Sequence, residues 1–390
     1  MSPLCQTHIE PHQLNEKESF YPLQTFVCEK CFLAQLPEHV APDAIFEEYA
    51  YFSSYSDSWL GHARRYVEAI SSRLKLGAQS LVVELGSNDG YLLQYFVAKG
   101  VPVLGIEPAK NVARAAVQKG IPTISEFFGR NLAAKIEQER GGADLIVGNN
   151  VLAHVPALNE FVAGMKRLLK LAGVITMEFP HLIQLIDGNQ FDTIYHEHYS
   201  YYSFTTVERV FAAQELTLFD VEELPTHGGS LRIYARHAQD ASKPVSPNVV
   251  ALKEREQAWG VSSLPKYQAF GEKVTQTKRR ILQFLIEAKD RGKSIAGYGA
   301  PGKGNTLLNY CGIHTDFIDY TVDRNPYKQG KYTPGTRIPI YDPERIIVTK
   351  PDYLFILPWN LKDEIMAQNS FIREWGGKFV VPIPELRVFD

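Results

Sequence analysis

Apolar residues recur at helical spacing from about Ser58 to Leu76, with Leu60, Tyr66, Val67 and Ile70 near one face. Downstream the period changes. Ser80–Leu85, Val103–Ile106, Asp144–Gly148 and Val174–Glu178 are short apolar runs of the kind that form buried parallel strands. Helix-like stretches lie between and after them, at Tyr91–Lys99, Asn111–Lys119, Arg130–Glu139 and Leu158–Leu171. This alternation predicts a doubly wound α/β domain. A polar stretch, Asp240–Val249, carries Pro244 and Pro247 and reads as a boundary. A charged helical region follows from about Ala251 to Asp290, and then a second alternation, with strands expected at Ser294–Tyr298, Phe317–Val322, Tyr353–Ile356 and Lys378–Pro382. The first 55 residues are short on long periodic segments and rich in Pro, His, Tyr and Cys. The pattern therefore divides the chain into a small N-terminal module (1–57), an α/β domain (58–240), and a helical linker with a second α/β domain (241–390).

Composition narrows the class. The 390 residues are 45% hydrophobic and 22% charged, as in ordinary globular proteins. A formal charge of −3 argues against a general nucleic-acid binder. No apolar run approaches the roughly 20 residues that span a bilayer, and Met1–Cys5 lacks the charged start and apolar core of a signal peptide. The expectation is a soluble cytoplasmic protein acting on a small molecule as a monomer or weak oligomer.

The strongest local signal is the run from Leu81 to Gly90, in which a buried strand containing Glu84 leads through Gly86, Ser87, Asn88, Asp89 and Gly90 into a helix. Such a turn lets a ligand approach the backbone and aims N–H groups at it. Its spacing is Glu-x-Gly-x-x-x-Gly rather than Gly-x-Gly-x-x-Gly, and carboxylates here suit a ligand with an amino-acid tail and a cationic centre. About twenty residues on, the next strand ends at Glu107, placed to accept hydrogen bonds from ribose hydroxyls. Asn149 and Asn150 end the following strand. Together these resemble the class I S-adenosylmethionine methyltransferases; taken alone, the turn could be a plain strand–helix connection.

The segment Phe191–Ser203 holds Tyr195, His196, Glu197 and His198 in aromatic surroundings, and His154 follows the Asn149-Asn150 strand end. Methylating carbon requires an enolate, so a base must remove a proton made acidic by an adjacent ketone, and histidine suits that task near neutral pH. The oxyanion needs a donor such as Tyr195, another histidine or an ordered amide. Two competing readings are a metal site completed by Glu197 and His181, and histidines buried beneath a loop.

The chain closely resembles the nucleotide-sugar C-methyltransferases of antibiotic deoxysugar pathways, the group that includes the tetronitrose C-3′-methyltransferases. The resemblance runs almost full length and rests on Tyr51–Ser56, Ser87–Gly90, Asn149–His154, Phe191–Ser200, Thr226–Arg232 and Gly297–Tyr310. It implies that His198 is the base, that Tyr195 and Glu197 orient or assist it, and that His154 lies at the sugar. It also implies S-adenosylmethionine as cofactor and a thymidine diphosphate 4-keto sugar as substrate, methylated at the neighbouring carbon.

A second glycine-rich turn, Gly297–Thr306, does spell Gly-x-Gly-x-x-Gly after a strand, and a further strand ends at Asp323. By itself it reads as a dinucleotide site, so an NAD-dependent oxidoreductase is the alternative enzyme; a nucleotide-sugar- or metal-binding protein without activity is the non-enzymatic one. The P-loop reading fails because Gly304 stands where Ser or Thr would bind magnesium. The resemblance assigns this domain to the nucleotide sugar, with Lys303 and the helix N-terminus at the diphosphate, Asn305 beside them, and Tyr49–Ser56 (Tyr55 and Ser56 among them) and Arg232 adding contacts. Cys28 and Cys31 have the spacing of half a four-thiolate zinc site. The family carries another such pair upstream, so the chain reads as N-terminally shortened, with Cys5 and His8 as candidate substitutes. Cys311 reads as a buried helix residue.

Overall fold

Val82–Leu85 (β1) and Val103–Ile106 (β2) are apolar apart from Glu84 and buried throughout, as strands covered on both faces must be. In the computed structural model, which describes residues 1–42, 45 and 52–390, they are neighbouring strands of a seven-stranded sheet. Tyr49 and Tyr51, two of the residues expected near substrate, lie outside the described residues. The chain divides into two compact units, one built from Cys28–Leu182 and Glu197–Ser262, the other from Met1–Val27, Ile183–His196 and Ser263–Asp390.

In the first unit the sheet is completed by Thr123–Ile124 (β3), Ala143–Asn149 (β4), Leu169–Pro180 (β5), Leu216–Leu224 (β6) and Ser230–His237 (β7). The order is β3-β2-β1-β4-β5-β7-β6. β7 runs antiparallel to both β5 and β6, with Ser230 opposite Pro180 on one side and Leu224 on the other. This departs from the dinucleotide-binding order 3-2-1-4-5-6 by one reversed strand inserted near the edge. Helices Asp57–Leu74 (α1), Leu93–Val97 (α2), Lys110–Gln118 (α3), Arg130–Arg140 (α4), Leu158–Leu168 (α5), Phe204–Ala212 (α6) and Pro247–Trp259 (α7) accompany the strands. α1 starts where the Ser56 hydroxyl accepts from the Trp59 N–H, buries Ala63, Tyr66, Val67 and Ile70, and stops at Lys75 in the left-handed region. Those side chains join Leu92, Leu93 and Phe96 on one face of the sheet, while Leu132, Ile136, Phe161, Phe204 and Phe211 belong to the core on the other.

The second unit has its own sheet, formed by Ile295–Tyr298 (β8), Tyr320–Val322 (β9), Ile340–Tyr341 (β10), Tyr353–Ile356 (β11), Lys378–Val381 (β12) and Arg387–Phe389 (β13). Its order is β10-β9-β8-β11-β12-β13, parallel except at the last pair. Leu264–Asp290 (α8) and Gly302–Cys311 (α9) pack Ile281, Leu285, Leu307 and Leu308 into its core. Among the described residues no helix is long and apolar enough to cross a membrane.

Candidate active site

The carboxyl ends of β1, β2 and β4 meet at the first glycine-rich turn. Gly86 and Gly90 have φ of 64° and 77°, and a Cβ on Gly90 would lie 2.8 Å from Ile121 Cγ1, so only glycine fits there. Asn88, also left-handed, accepts the Ser53 N–H (2.8 Å) on its side chain and donates its own N–H to Glu107 (2.9 Å). The other Glu107 oxygen accepts from the Ala109 N–H at 2.9 Å, which leaves lone pairs on both oxygens for further donors. Burial pushes the Glu107 carboxyl up, and these two N–H groups oppose the rise.

Several polar atoms at this edge are buried without a protein hydrogen bond, Ser87 Oγ, Asp89 Oδ1 and Asn150 Oδ1 among them, and the buried Glu84 carboxyl has only Tyr91 beside it as a donor. The Glu84 carboxyl is driven well above its ordinary range by burial; the neighbouring Tyr91 opposes this, and the Glu107 and Asp89 charges add to it. Asp89 meets Lys119 Nζ at 2.7 Å through its second oxygen. Asn149 donates to the Tyr91 hydroxyl at 3.3 Å, and Asn150, left-handed at φ 56°, donates its N–H to the Glu178 carbonyl at 2.7 Å.

On the same unit His154 and His198 meet edge to face, with ring centroids 4.7 Å apart, and Tyr201 lies 6.1 Å from His198. Burial lowers the His154 pKa to about 4, against a hydrogen bond that the ring donates to the Glu197 main-chain carbonyl. The Tyr195–His198 run straddles the two units, since Tyr195 and His196 belong to the second and Glu197 and His198 to the first. Glu197 is buried, and Tyr195 and His198 are half-buried.

The residues expected at the sugar fare differently. Tyr55 is exposed, while the Ser56 hydroxyl caps α1. Arg232 is buried, bonded to Glu178 (2.6 Å) and Glu222 (3.0 Å) beneath the Tyr66 ring. Lys303 bonds Asn360 (2.7 Å) and lies over the Trp359 ring. Asn305 is fully buried and donates to the Cys5 carbonyl at 2.7 Å. Ser56, Arg232 and Asn305 are thus engaged by the protein itself. The second glycine-rich turn is likewise occupied by the chain's own N-terminal segment, because a Cβ on Gly302 would lie 2.9 Å from Cys5 Sγ. His8 reaches the Ala300 carbonyl at 3.4 Å, and Asp323 accepts the Ala300 and Asn325 N–H groups, both at 2.8 Å.

Sequence reasoning missed a buried network behind the first turn. Glu178, at the end of β5, accepts from Arg232, Thr226 Oγ1 (2.9 Å) and His62 Nε2 (2.9 Å). Trp59 stacks between neighbours His62 and Tyr91, at 5.0 and 6.0 Å, and meets His227 edge-on at 5.1 Å. The i, i+3 spacing of Trp59 and His62 on α1 was the available signal. His181, a proposed metal ligand, is instead bonded to the buried Glu256 at 2.8 Å, and Glu256 also caps α6 through the Phe204 and Thr205 N–H groups.

A family model described as "C-methyltransferase C-terminal domain" matches residues 225–384, one described as "Methyltransferase domain" matches 59–221, and "Putative zinc binding domain" matches 1–46. The C-methyltransferase NovU of Streptomyces niveus is 37% identical over 96% of this chain and 89% of that protein. Among solved structures, the magnesium protoporphyrin IX methyltransferase ChlM of Synechocystis PCC 6803 with bound SAM aligns at 16% identity and TM-score 0.35, over 50% of this chain and 88% of that one. The CcbJ methyltransferase of Streptomyces caelestis aligns at 12% identity and TM-score 0.39, over 51% of this chain and all (100%) of that one. Fold and site define an S-adenosylmethionine-dependent methyltransferase of class I. Within that class, the chain belongs to the C-methyltransferase family. The oxidoreductase and non-enzymatic alternatives fall with that assignment.

The unsatisfied polar atoms around Glu84 and Asp89 fit the amino-acid end of S-adenosylmethionine, and Glu107 fits the ribose. For zinc, Cys28 and Cys31 supply half a ligand set on a tight turn closed by the Phe32 N–H to Cys28 carbonyl bond at 2.8 Å. Cys5 and His8 are held instead at the second glycine-rich turn, and among the described residues no group of three or more candidate ligands converges.

Proposed function

We propose that the chain methylates the carbon next to the ketone of a nucleotide-linked 4-keto sugar, with His198 as the base. The observation that carries this reading is the His154–His198 pair, set on the same unit as the cofactor loop. Carbon becomes nucleophilic only when a proton is taken from it, and the pair supplies one imidazole for that step beside a second that burial keeps neutral. Glu197 and Tyr195, one and three residues before it in the run, orient or assist the base.

When bound, S-adenosylmethionine supplies a methyl group whose bond to sulfur breaks, the pair staying on sulfur, as the new carbon–carbon bond forms. Glu84, Ser87 and Asp89, with the Gly86–Gly90 backbone, would hold its amino-acid end, Glu107 and Asn88 its ribose side, and Asn149 and Asn150 the wall towards substrate. Lys303, in the first turn of α9, would contact the thymidine diphosphate. The full-length likeness to a C-methyltransferase supports the carbon acceptor.

The test is mass spectrometry of thymidine diphosphate 4-keto sugars after incubation with the protein and S-adenosylmethionine. A gain of one methylene that survives acid and base treatment is expected. His198→Gln is expected to bind S-adenosylmethionine normally and to lose turnover; unchanged turnover would refute the assignment of the base.

A further inference from the structure

The hairpin joining β6 to β7 is built more elaborately than a connection requires. It crosses the carboxyl end of β5, because Ser230 pairs with Pro180, and Asn149 and Glu178 lie opposite each other one strand further in. Three successive residues have positive φ: His227 (54°), Gly228 (90°) and Gly229 (115°). Two of them are glycines, for which this is free, but His227 carries a side chain and holds the conformation at a cost.

The strain is held in place from several sides. The Thr226 carbonyl accepts from the Gly229 N–H and the Ser230 hydroxyl, each at 2.9 Å. The Thr226 hydroxyl donates to the buried Glu178, and the Gly229 carbonyl accepts the His181 N–H at 3.0 Å. The result fixes the imidazole of His227, half-buried, against the edge of Trp59. Trp59 in turn stacks on Tyr91, which follows Gly90 on the cofactor turn and is bonded to Asn149. His227 therefore stands on the β5–β7 side of the sheet's carboxyl edge, next to the strands that carry the cofactor residues.

We propose that His227 is a catalytic residue whose ring N–H donates a hydrogen bond to the substrate's ketone oxygen as the enolate forms. The inference rests on the carbon-methylation reading above. As His198 takes the α-proton, the C–H pair becomes the new C=C bond and the carbonyl π pair moves onto oxygen. The oxyanion is met by the N–H of His227. When the carbon attacks the methyl group, that pair returns to rebuild C=O, and His198 releases its proton to solvent. A donor already fixed by a strained backbone needs no reorganisation as the charge develops.

The test uses the full chain and a thymidine diphosphate 4-keto sugar in deuterium oxide, following both methyl transfer and exchange of the α-proton. His227→Gly suits the left-handed backbone, so the fold should hold, with S-adenosylmethionine affinity and the unfolding temperature as controls. Exchange and methyl transfer should both fall roughly 10²–10³-fold, the loss typical of removing one oxyanion donor. Added imidazole should restore part of each, which it would not do for a purely structural residue. If the wild type exchanges and methylates while His227→Gly matches it in both, the role of His227 is refuted and the reading of the reaction stands. If the wild type neither exchanges the α-proton nor transfers a methyl to any sugar in the panel, the reading of the reaction fails, and this inference with it.

Discussion

Replacing Glu178 by Gln is the perturbation that most directly weighs the buried network around Glu178 and Arg232. The Glu178 side chain is fully buried and faces the guanidinium of Arg232, itself 7% exposed, at 2.6 Å. Losing the negative charge leaves that cation only the more exposed Glu222, at 3.0 Å, as counter-ion, so most of the typical cost of about 3–5 kcal/mol for breaking a buried pair is expected. The amide can keep its oxygen towards Arg232 and His62 and turn its nitrogen to the Thr226 hydroxyl, so the loss is chiefly one of charge. A second route gives a similar figure. Burial alone would raise the Glu178 pKa, but hydrogen bonding to His62, the Arg232 charge and the Thr226 hydroxyl outweigh it and bring it from 4.5 to about 2. At 1.36 kcal/mol per pH unit that is roughly 3 kcal/mol of stability. The folded pKa lies below the unfolded one, so this contribution is complete above about pH 4.5 and disappears as pH falls towards 2. Urea unfolding of the full chain, read by hydrogen exchange in β5 and β7, isolates this unit from the other. The mutant should lose about 3 kcal/mol or more at pH 7, and the gap to wild type should narrow below pH 4.5. A Glu178→Met, Arg232→Met double variant should recover most of the loss, as apolar replacements of buried pairs do. A loss under about 1 kcal/mol at pH 7, or one that does not narrow in acid, would refute the reasoning.

Gly90→Ala forces a Cβ against Ile121 at a positive φ, so it should destabilise the unit by about 1–3 kcal/mol and weaken S-adenosylmethionine in calorimetry. Glu84→Gln removes a buried carboxylate held far above its ordinary pKa, so the free protein should gain stability at pH 8 in thermal unfolding. The same variant should bind S-adenosylmethionine about 10–100-fold more weakly, the worth of one charge-assisted hydrogen bond. Asp192, buried beneath the Trp359 N–H (2.7 Å), is raised from 3.8 to about 7 by burial, against the charge of Lys303. Its contribution to stability is complete below pH 3.8 and lost as pH rises through about 7. Asp192→Asn, which keeps an acceptor for Trp359, should therefore gain on wild type between pH 5 and 8, by up to roughly 4 kcal/mol in denaturation.

What was legible in the sequence were the features with a local period or a local turn. β1, β2 and β4 emerged from apolar runs, and the first glycine-rich turn from its small residues and carboxylates. β6 and β7 did not. β6 carries Asp220, Glu222 and Glu223, and β7 carries Arg232 and Arg236, charges that read as exposed. In the fold Arg232 and Glu178 neutralise each other across the sheet, a pairing no single window contains. What packs on the second glycine-rich turn was not legible for a similar reason, because that segment lies about three hundred residues away. His154 and His198 were identified from density and motif, but their edge-to-face contact depends on the main-chain bond from the Tyr199 N–H to the Ala153 carbonyl, which spacing cannot reveal.

The seating of the first residues on the second glycine-rich turn also bears on how the chain is made. Ile9 and Tyr332 exchange both main-chain hydrogen bonds at 2.9 Å, and Cys5 waits for Asn305. The unit they belong to draws on Met1–Val27, Ile183–His196 and Ser263–Asp390, so synthesis must run well past Ser263 before that unit can close. The other unit is complete once residue 262 has emerged. During synthesis the leading segment must therefore remain unpaired while the methyltransferase unit folds behind it, and docks only at the end.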